Sequence, residues 1–438
     1  MSAETGRPTA VHRRVELDML RALVVLGLVF FHAALVFSPD DDFYVKNAQT
    51  TEAVTVVAGL GVVWAMPLLF LVAGLGARYS LRRRGPAGFA RERLLRLGVP
   101  LVFATLVLCP LPQWLRLRAA DPGYDESYWR FWPRFLTVRP DLGDFPFVLE
   151  GDHFETGHLW FVVLLLVFSL LLAPVAAPLA SAGDRAGGAV GRRPALLLLP
   201  APALALINAL LGMEESFAGW NRWAYLLFFL LGHALAGDDR IRAAMRRLAL
   251  PVGVLGIVLF LGTAPGFMSQ DDPFTARTTF ALFTRALFGA AGWCWVVAIL
   301  GLLDRPRDGG GRDGGPREAG SRERGSPEGG QRKSGSCKNG SRKNGSRERG
   351  SPGSEPSSRV LPYLAVAALP LYVLHQPVLV AIAYGAVGWA APIVVKYVVI
   401  VVSSLAVILV VYEYAVRRTR ITRFLFGMRP DPPPPPPS

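Results

Sequence analysis

The chain has 438 residues, 52% hydrophobic and 18% charged, with 47 Lys and Arg against 33 Asp and Glu, a formal net charge of +14. The charges are clumped between uncharged stretches at 53–77, 97–115, 248–270 and 360–395, each long enough to cross a bilayer as one helix or more. This composition defines a polytopic membrane protein and excludes nucleic-acid binding as the meaning of the high pI, because the basic residues sit between apolar spans.

In chain order, the apolar runs predict ten membrane helices, near 20–38, 54–77, 95–112, 158–180, 194–212, 222–237, 248–267, 279–303, 361–385 and 390–414. The expected fold class is all-α, a polytopic transmembrane helical bundle. The first span is not a signal peptide, since it follows a polar tail, contains His32 and is followed by Ser38, Pro39 and three aspartates rather than a small-residue cleavage site. The sixth rests only on the uncharged stretch 223–237 and needs Arg222 to snorkel. Basic residues gather in the N-terminal tail, at 78–96, 185–193, 240–247 and 304–359, and in the C-terminal tail, while the alternate loops carry Asp40 to Asp42, Asp121 to Glu155, Glu214 with Glu215, and Asp271 with Asp272. The excess of Lys and Arg in cytoplasmic loops then places both termini in the cytoplasm, with the chain in the cell membrane.

The domain reading follows. Residues 1–303 form the body with eight spans, and 360–415 add the last two spans of the same domain. Residues 304–359, rich in Gly, Ser and Arg and repeating GSRERGSP at 320–327 and 345–352, read as a disordered cytoplasmic linker. A basic and Pro-rich cytoplasmic tail occupies 416–438. The loop 113–157, bearing Trp114, Tyr124, Tyr128, Trp129, Phe131 and Trp132, reads as ordered, and suits either a carbohydrate-binding loop or an interfacial aromatic belt. Three cysteines, Cys109 and Cys294 in apolar spans and Cys337 in the linker, make neither a disulfide framework nor a zinc site, and no metal is expected.

Chemistry concentrates in the first span. Arg21 and His32 are eleven residues apart, three helical turns and about 20°, so both face one way about 16 Å from each other along the helix. An intramembrane histidine needs a partner or a polar cavity. Periodicity leaves open both a functional group and a buried histidine bonded to a neighbouring helix.

The wider string, Arg14, Glu16, Asp18 and Arg21 followed by ten residues and His32, resembles the opening motif of the acyltransferase 3 family of integral membrane acyltransferases. Further matches are Met66-Pro67 with Ala73-Gly74 in the second span, and Arg93 and Arg96 before Pro100 at the third. His158-Leu159-Trp160-Phe161 at the fourth and Leu371-Tyr372 with His375-Gln376-Pro377 in the ninth resemble the branch of glucan-modifying, succinylating membrane proteins. Ala73 stands where the family usually has a small hydroxyl residue.

The resemblance implies an O-acyltransferase that moves a short acyl group from cytosolic acyl-CoA, a donor substrate rather than a resident cofactor, to a hydroxyl of an extracytoplasmic or lipid-linked glycan or glycosylated metabolite. Arg21, Arg93 and Arg96 would grip the donor phosphates, and His32 would act as general base or accept the acyl group itself. His158, Trp160, His375 and Gln376 are expected on the acceptor side; His375 lies about as deep in its span as His32, so the two should face a common cavity. The partners expected are acyl-CoA, the glycan acceptor and the lipid bilayer, with no nucleic acid. His233 reads as a capped or snorkelling residue, Arg285 as a snorkelling anchor in preference to an anion site for an acidic acyl or acceptor group, and His12 and His153 as solvent-side. The rival reading is a proton- or anion-coupled transporter using the same intramembrane Arg and His. No phosphate loop, dinucleotide fingerprint, HExxH or GxSxG pattern is present.

Overall fold

The structure, a computed structural model, describes residues 15–39, 43–304 and 357–428. The expected linker at 304–359 lies almost wholly outside the described residues, as do His12 and the Pro-rich end. In order, the elements are α1 (Val15–Leu35), α2 (Glu52–Val62), α3 (Ala65–Arg93), α4 (Val99–Val107), α5 (Pro110–Ala120), α6 (Tyr128–Phe135), β1 (Arg139–Pro140) and β2 (Leu149–Glu150). There follow α7 (Trp160–Arg192), α8 (Pro200–Leu211), α9 (Arg222–Ala234), α10 (Asp239–Leu261), α11 (Ala264–Ser269), α12 (Thr279–Leu303), α13 (Ser357–Ala386), α14 (Ile393–Val411) and α15 (Arg420–Leu425). The class is all-α, and the only sheet among the described residues is the two-residue pairing of β1 with β2. Seven helical segments are long and apolar enough to cross a membrane by length and composition.

Each predicted span corresponds to a helix or a broken pair of helices, and the breaks have local causes. The second span is split at Val63 and Trp64. Pro67 lacks the N–H that would continue a helix from α2, yet it fits the first turn of α3. α3 then runs well beyond the expected end at residue 77, past a kink at Gly85 (φ 69°) and Pro86, so most of the basic segment 78–96 is helix rather than loop. Its Arg78 is buried and pairs with Asp184 of α7 at 2.8 Å. The third span passes through a π-turn at Leu94–Gly98 into α4 and breaks again at Pro110. The sixth span is the short helix α9, started by the Asn221 side chain accepting from the Trp223 N–H at 3.0 Å.

α3, α7 and α9 pack on one another, α12 packs against both α8 and α10, and α1 lies against α3 and α14. The α3–α9 approach is close: a Cβ on Gly74 would lie 2.0 Å from the Phe229 carbonyl, and one on Gly232 2.0 Å from that of Leu71. Both positions therefore need glycine.

The connection from α1 to α2 is pinned at the end of α1. Lys46 Nζ donates to the Leu35 and Ser38 carbonyls, neutralising the negative end of the helix. Asn47 accepts from the buried Lys396 of α14 at 2.8 Å. The loop 113–157 is ordered, with Phe131 and Phe135 of α6 fully buried and Trp132 Nε1 donating to the Leu106 carbonyl at 2.9 Å.

Candidate active site

α1 is unbroken from Val15 to Leu35, so the eleven-residue spacing of Arg21 and His32 is retained. His32 lies in the last turn and its Nδ1–H donates back to the Leu28 carbonyl at 2.8 Å. α13 brings the His375 ring to 5.0 Å from His32, centroid to centroid. His375 is buried and its Nδ1–H donates to the Tyr372 carbonyl. His158, in the 3-10 turn Gly157–Leu159 before α7, stacks edge-on to His375 at 4.9 Å. Its Nε2–H donates to the Val373 carbonyl at 3.1 Å.

These bonds define the tautomers, because a carbonyl can only accept. In the neutral rings His32 and His375 keep their lone pairs on Nε2, and His158 keeps its own on Nδ1. His375 Nε2 is buried without a hydrogen-bond partner, as are Gln376 Oε1 on the next residue and Thr105 Oγ1. Among the described residues no carboxylate forms an ion pair with the three histidines, and no three His, Cys, Asp or Glu side chains converge at metal-ligand spacing. A cluster of three basic lone pairs cannot satisfy itself. It suits an incoming hydrogen-bond donor.

A rim closes over the cluster. The Tyr44 hydroxyl donates to the Glu155 carboxylate, joining the segment after α1 to the turn before His158. Burial, followed by the adjacent Glu155 charge, pushes the Tyr44 hydroxyl well above the ordinary tyrosine range, so it stays protonated. Phe43 lies 6.0 Å from His32, and the Tyr372 hydroxyl donates to the His158 carbonyl. Gly157 (φ 48°) allows the tight approach, since a Cβ there would stand 2.8 Å from the Tyr44 oxygen. Tyr44 and Glu155 are 111 residues apart, and no local pattern marks either one. Tyr372 had a signal, its place in the string that ends at His375-Gln376-Pro377.

Of the residues singled out from sequence, the structure brings together His32, His158 and His375, with Gln376 adjoining. Trp160 instead joins an aromatic wall, 5.4 Å from both Tyr225 and Phe217. Arg21 lies against α3, its Nη2 donating to the Val72 carbonyl at 2.6 Å, where Gly76 leaves room for the guanidinium. Arg93 covers the Phe89 ring at 4.9 Å, and Arg96 is 4.0 Å from Glu92.

Two expectations are corrected. Arg285 does not snorkel: it is buried, and its guanidinium donates to the carbonyls of Pro273, Ala209 and Ala276. His233 is likewise buried and donates across to the Ala176 carbonyl of α7 at 3.1 Å. Carbonyls at helix ends and interhelical contacts offer these groups partners closer than the membrane surface.

An all-α membrane body with a histidine cluster enclosed between three helices is the framework of an integral membrane enzyme. The family model described as an acyltransferase domain matches residues 14–308, about two thirds of the chain, and the protein belongs to this acyltransferase 3 family. It is a membrane acyltransferase, using an acyl donor and an acceptor, and the transporter reading falls away. No curated protein and no solved structure gives a match. The family match ends before α13, so the meeting of His375 with His32, expected from its depth in its own span, rests on the tertiary structure.

Proposed function

We propose that the protein is an O-acyltransferase carrying a short acyl group from cytosolic acyl-CoA to a hydroxyl of an extracytoplasmic or lipid-linked glycan, or of a glycosylated metabolite. In this reading the chain crosses the cell membrane ten times with both termini in the cytoplasm, and the histidine cluster opens toward the acidic loops. The observation that carries it is the meeting of three histidine rings, His375 lying 5.0 Å from His32 and 4.9 Å from His158 with its Nε2 buried and unpartnered, and His32 on the same helical face as Arg21.

The chemistry balances on these residues. His32 Nε2 takes the proton of the acceptor hydroxyl as its oxygen forms the new bond to the thioester carbonyl carbon. The carbon–sulfur bond then breaks, and the proton passes from His32 to the departing thiolate, leaving the ester and free CoA. The Leu28 carbonyl, by holding Nδ1–H, stabilises the transient imidazolium and keeps Nε2 aimed at the substrate. The distance of about 16 Å from Arg21 to His32 suits a pantetheine arm lying along α1, with Arg21, Arg93 and Arg96 toward the phosphates. Gln376 and His158 would orient the acceptor hydroxyls, and Trp160 would border them through the aromatic wall.

The test is acyl transfer from labelled acyl-CoA in membrane vesicles. His32→Ala should lose about 10²- to 10⁴-fold in rate with the protein still inserted, whereas Arg21→Ala should chiefly raise KM for the donor. Undiminished transfer by His32→Ala refutes the assignment.

A further inference from the structure

We infer that Pro377 is a positioning residue that holds His158 in its Nε2–H form by leaving the Val373 carbonyl open to it. The inference rests on the proposed role of the histidine cluster in acyl transfer.

In an α-helix the carbonyl of residue i accepts from the N–H of residue i+4. The residue four beyond Val373 is Pro377, which has no N–H, although α13 continues through it to Ala386. A carbonyl left bare inside a membrane is expensive, and neighbouring side chains are the usual remedy. Here the remedy is His158, 215 residues away in the chain, whose Nε2 is 3.1 Å from the Val373 oxygen. The same device recurs at the nearby rim. Pro110 lies four residues beyond Leu106, and the Leu106 carbonyl receives the Trp132 indole N–H at 2.9 Å.

The bond has a chemical consequence. With its proton committed to Val373, His158 presents the Nδ1 lone pair, while His375, held through Nδ1–H on the preceding Tyr372 carbonyl, presents Nε2. Tyr372 closes the strap in the opposite direction, its hydroxyl donating to the His158 main-chain carbonyl. One stretch of α13, Tyr372 to Pro377, thus sets the orientation of two of the three rings. Without the proline, the N–H of residue 377 would compete for the Val373 carbonyl, which now has His158 in place of a helical donor, and would weaken the hold on the His158 tautomer and rotamer.

The experiment is nitrogen NMR on histidine-labelled protein, paired with a kinetic double-mutant cycle. In the wild type, one ring of the cluster, His158, should be Nε2-protonated and the other two Nδ1-protonated. Pro377→Ala should convert or mix the His158 signal alone and lower kcat by about ten-fold with KM for the donor unchanged. In a His158→Ala background the same substitution should cost nothing further. Pro370→Ala, which also restores an N–H inside α13, should leave the His158 signal in place. An Nδ1-protonated His158 in the wild type overturns the inference even where the variant does not fold. So does a Pro377→Ala effect that persists in full without His158. Full activity of His158→Ala would instead remove the functional reading, and the tautomer measurement would still judge Pro377 by itself.

Discussion

The histidine site between α1, α7 and α13 and the packed group of α8, α10 and α12 both bury ionisable side chains, but they use them differently. Around Arg285 the two terminal nitrogens donate to three main-chain carbonyls, leaving only Nε without a partner, and the helices close on small residues: a Cβ on Gly301 of α12 would lie 2.3 Å from the Met245 carbonyl of α10. Around His375 one nitrogen is committed to the main chain and the other is not, and Oε1 of the next residue, Gln376, also lacks a partner. A buried charge that spends both terminal nitrogens on main-chain carbonyls of neighbouring segments holds those segments together. Buried basic atoms left unpaired mark a place where a substrate completes the set.

Substitutions separate the two regions. After His32→Ala, the largest effect is expected at His375→Ala, which should reduce acyl transfer by about 100-fold through loss of its buried, unpartnered nitrogen, with the thermal midpoint in detergent nearly unchanged. Arg285→Met should do the reverse. Three carbonyls lose their donor, stability should fall by about 3 kcal/mol, and rate per folded molecule should stay the same. A drop in specific activity without loss of stability would place Arg285 in the site rather than the scaffold.

Smaller effects are expected at the faces of the membrane body. Burial alone would raise the Asp304 carboxyl, but hydrogen bonds and charges from Arg242 and Arg246 outweigh it and hold the group below the usual range. Its contribution is therefore present above the ordinary carboxylate pKa and lost as pH falls through the lower folded value. Asp304→Asn should remove about 1 kcal/mol at neutral pH, and the deficit should vanish in strong acid, as followed by unfolding at several pH values. Least of all, Tyr44→Phe should raise KM for the acceptor a few-fold by freeing the Glu155 turn, about 1 kcal/mol for one hydrogen bond. The hydroxyl's pKa is raised in the folded state, so its stabilising effect is complete below the ordinary tyrosine value and declines only as pH rises beyond it. The pH profile of transfer from 6 to 9 should accordingly be the same in Tyr44→Phe and wild type; a lost alkaline limb in the variant would make Tyr44 a titrating participant.

Much of this was legible in the chain. Apolar runs predicted the helical class and helices near each expected span, of which seven segments are long and apolar enough to cross a membrane, and the eleven-residue spacing of Arg21 and His32 placed both on one face of a helix that the structure leaves intact. The depth of His375 in its own span anticipated a meeting with His32. Less was legible in the basic segment: α3 kinks at Gly85 and Pro86 but resumes as helix to Arg93, and its buried Arg78 pairs with Asp184, a partner 106 residues on.

What the sequence by itself determined were properties that repeat along one helix: apolar length, the face on which a residue lies, and the missing N–H of each proline. Only the tertiary structure decided which side chain fills the gap a proline leaves, why Arg285 and His233 turn inward, and that Tyr44 and Glu155 close over the cluster. The physical reason is that helical periodicity is set by the local backbone. A hydrogen bond between helices depends on which faces meet, and that is decided by packing across hundreds of residues, including contacts as close as Gly74 on Phe229.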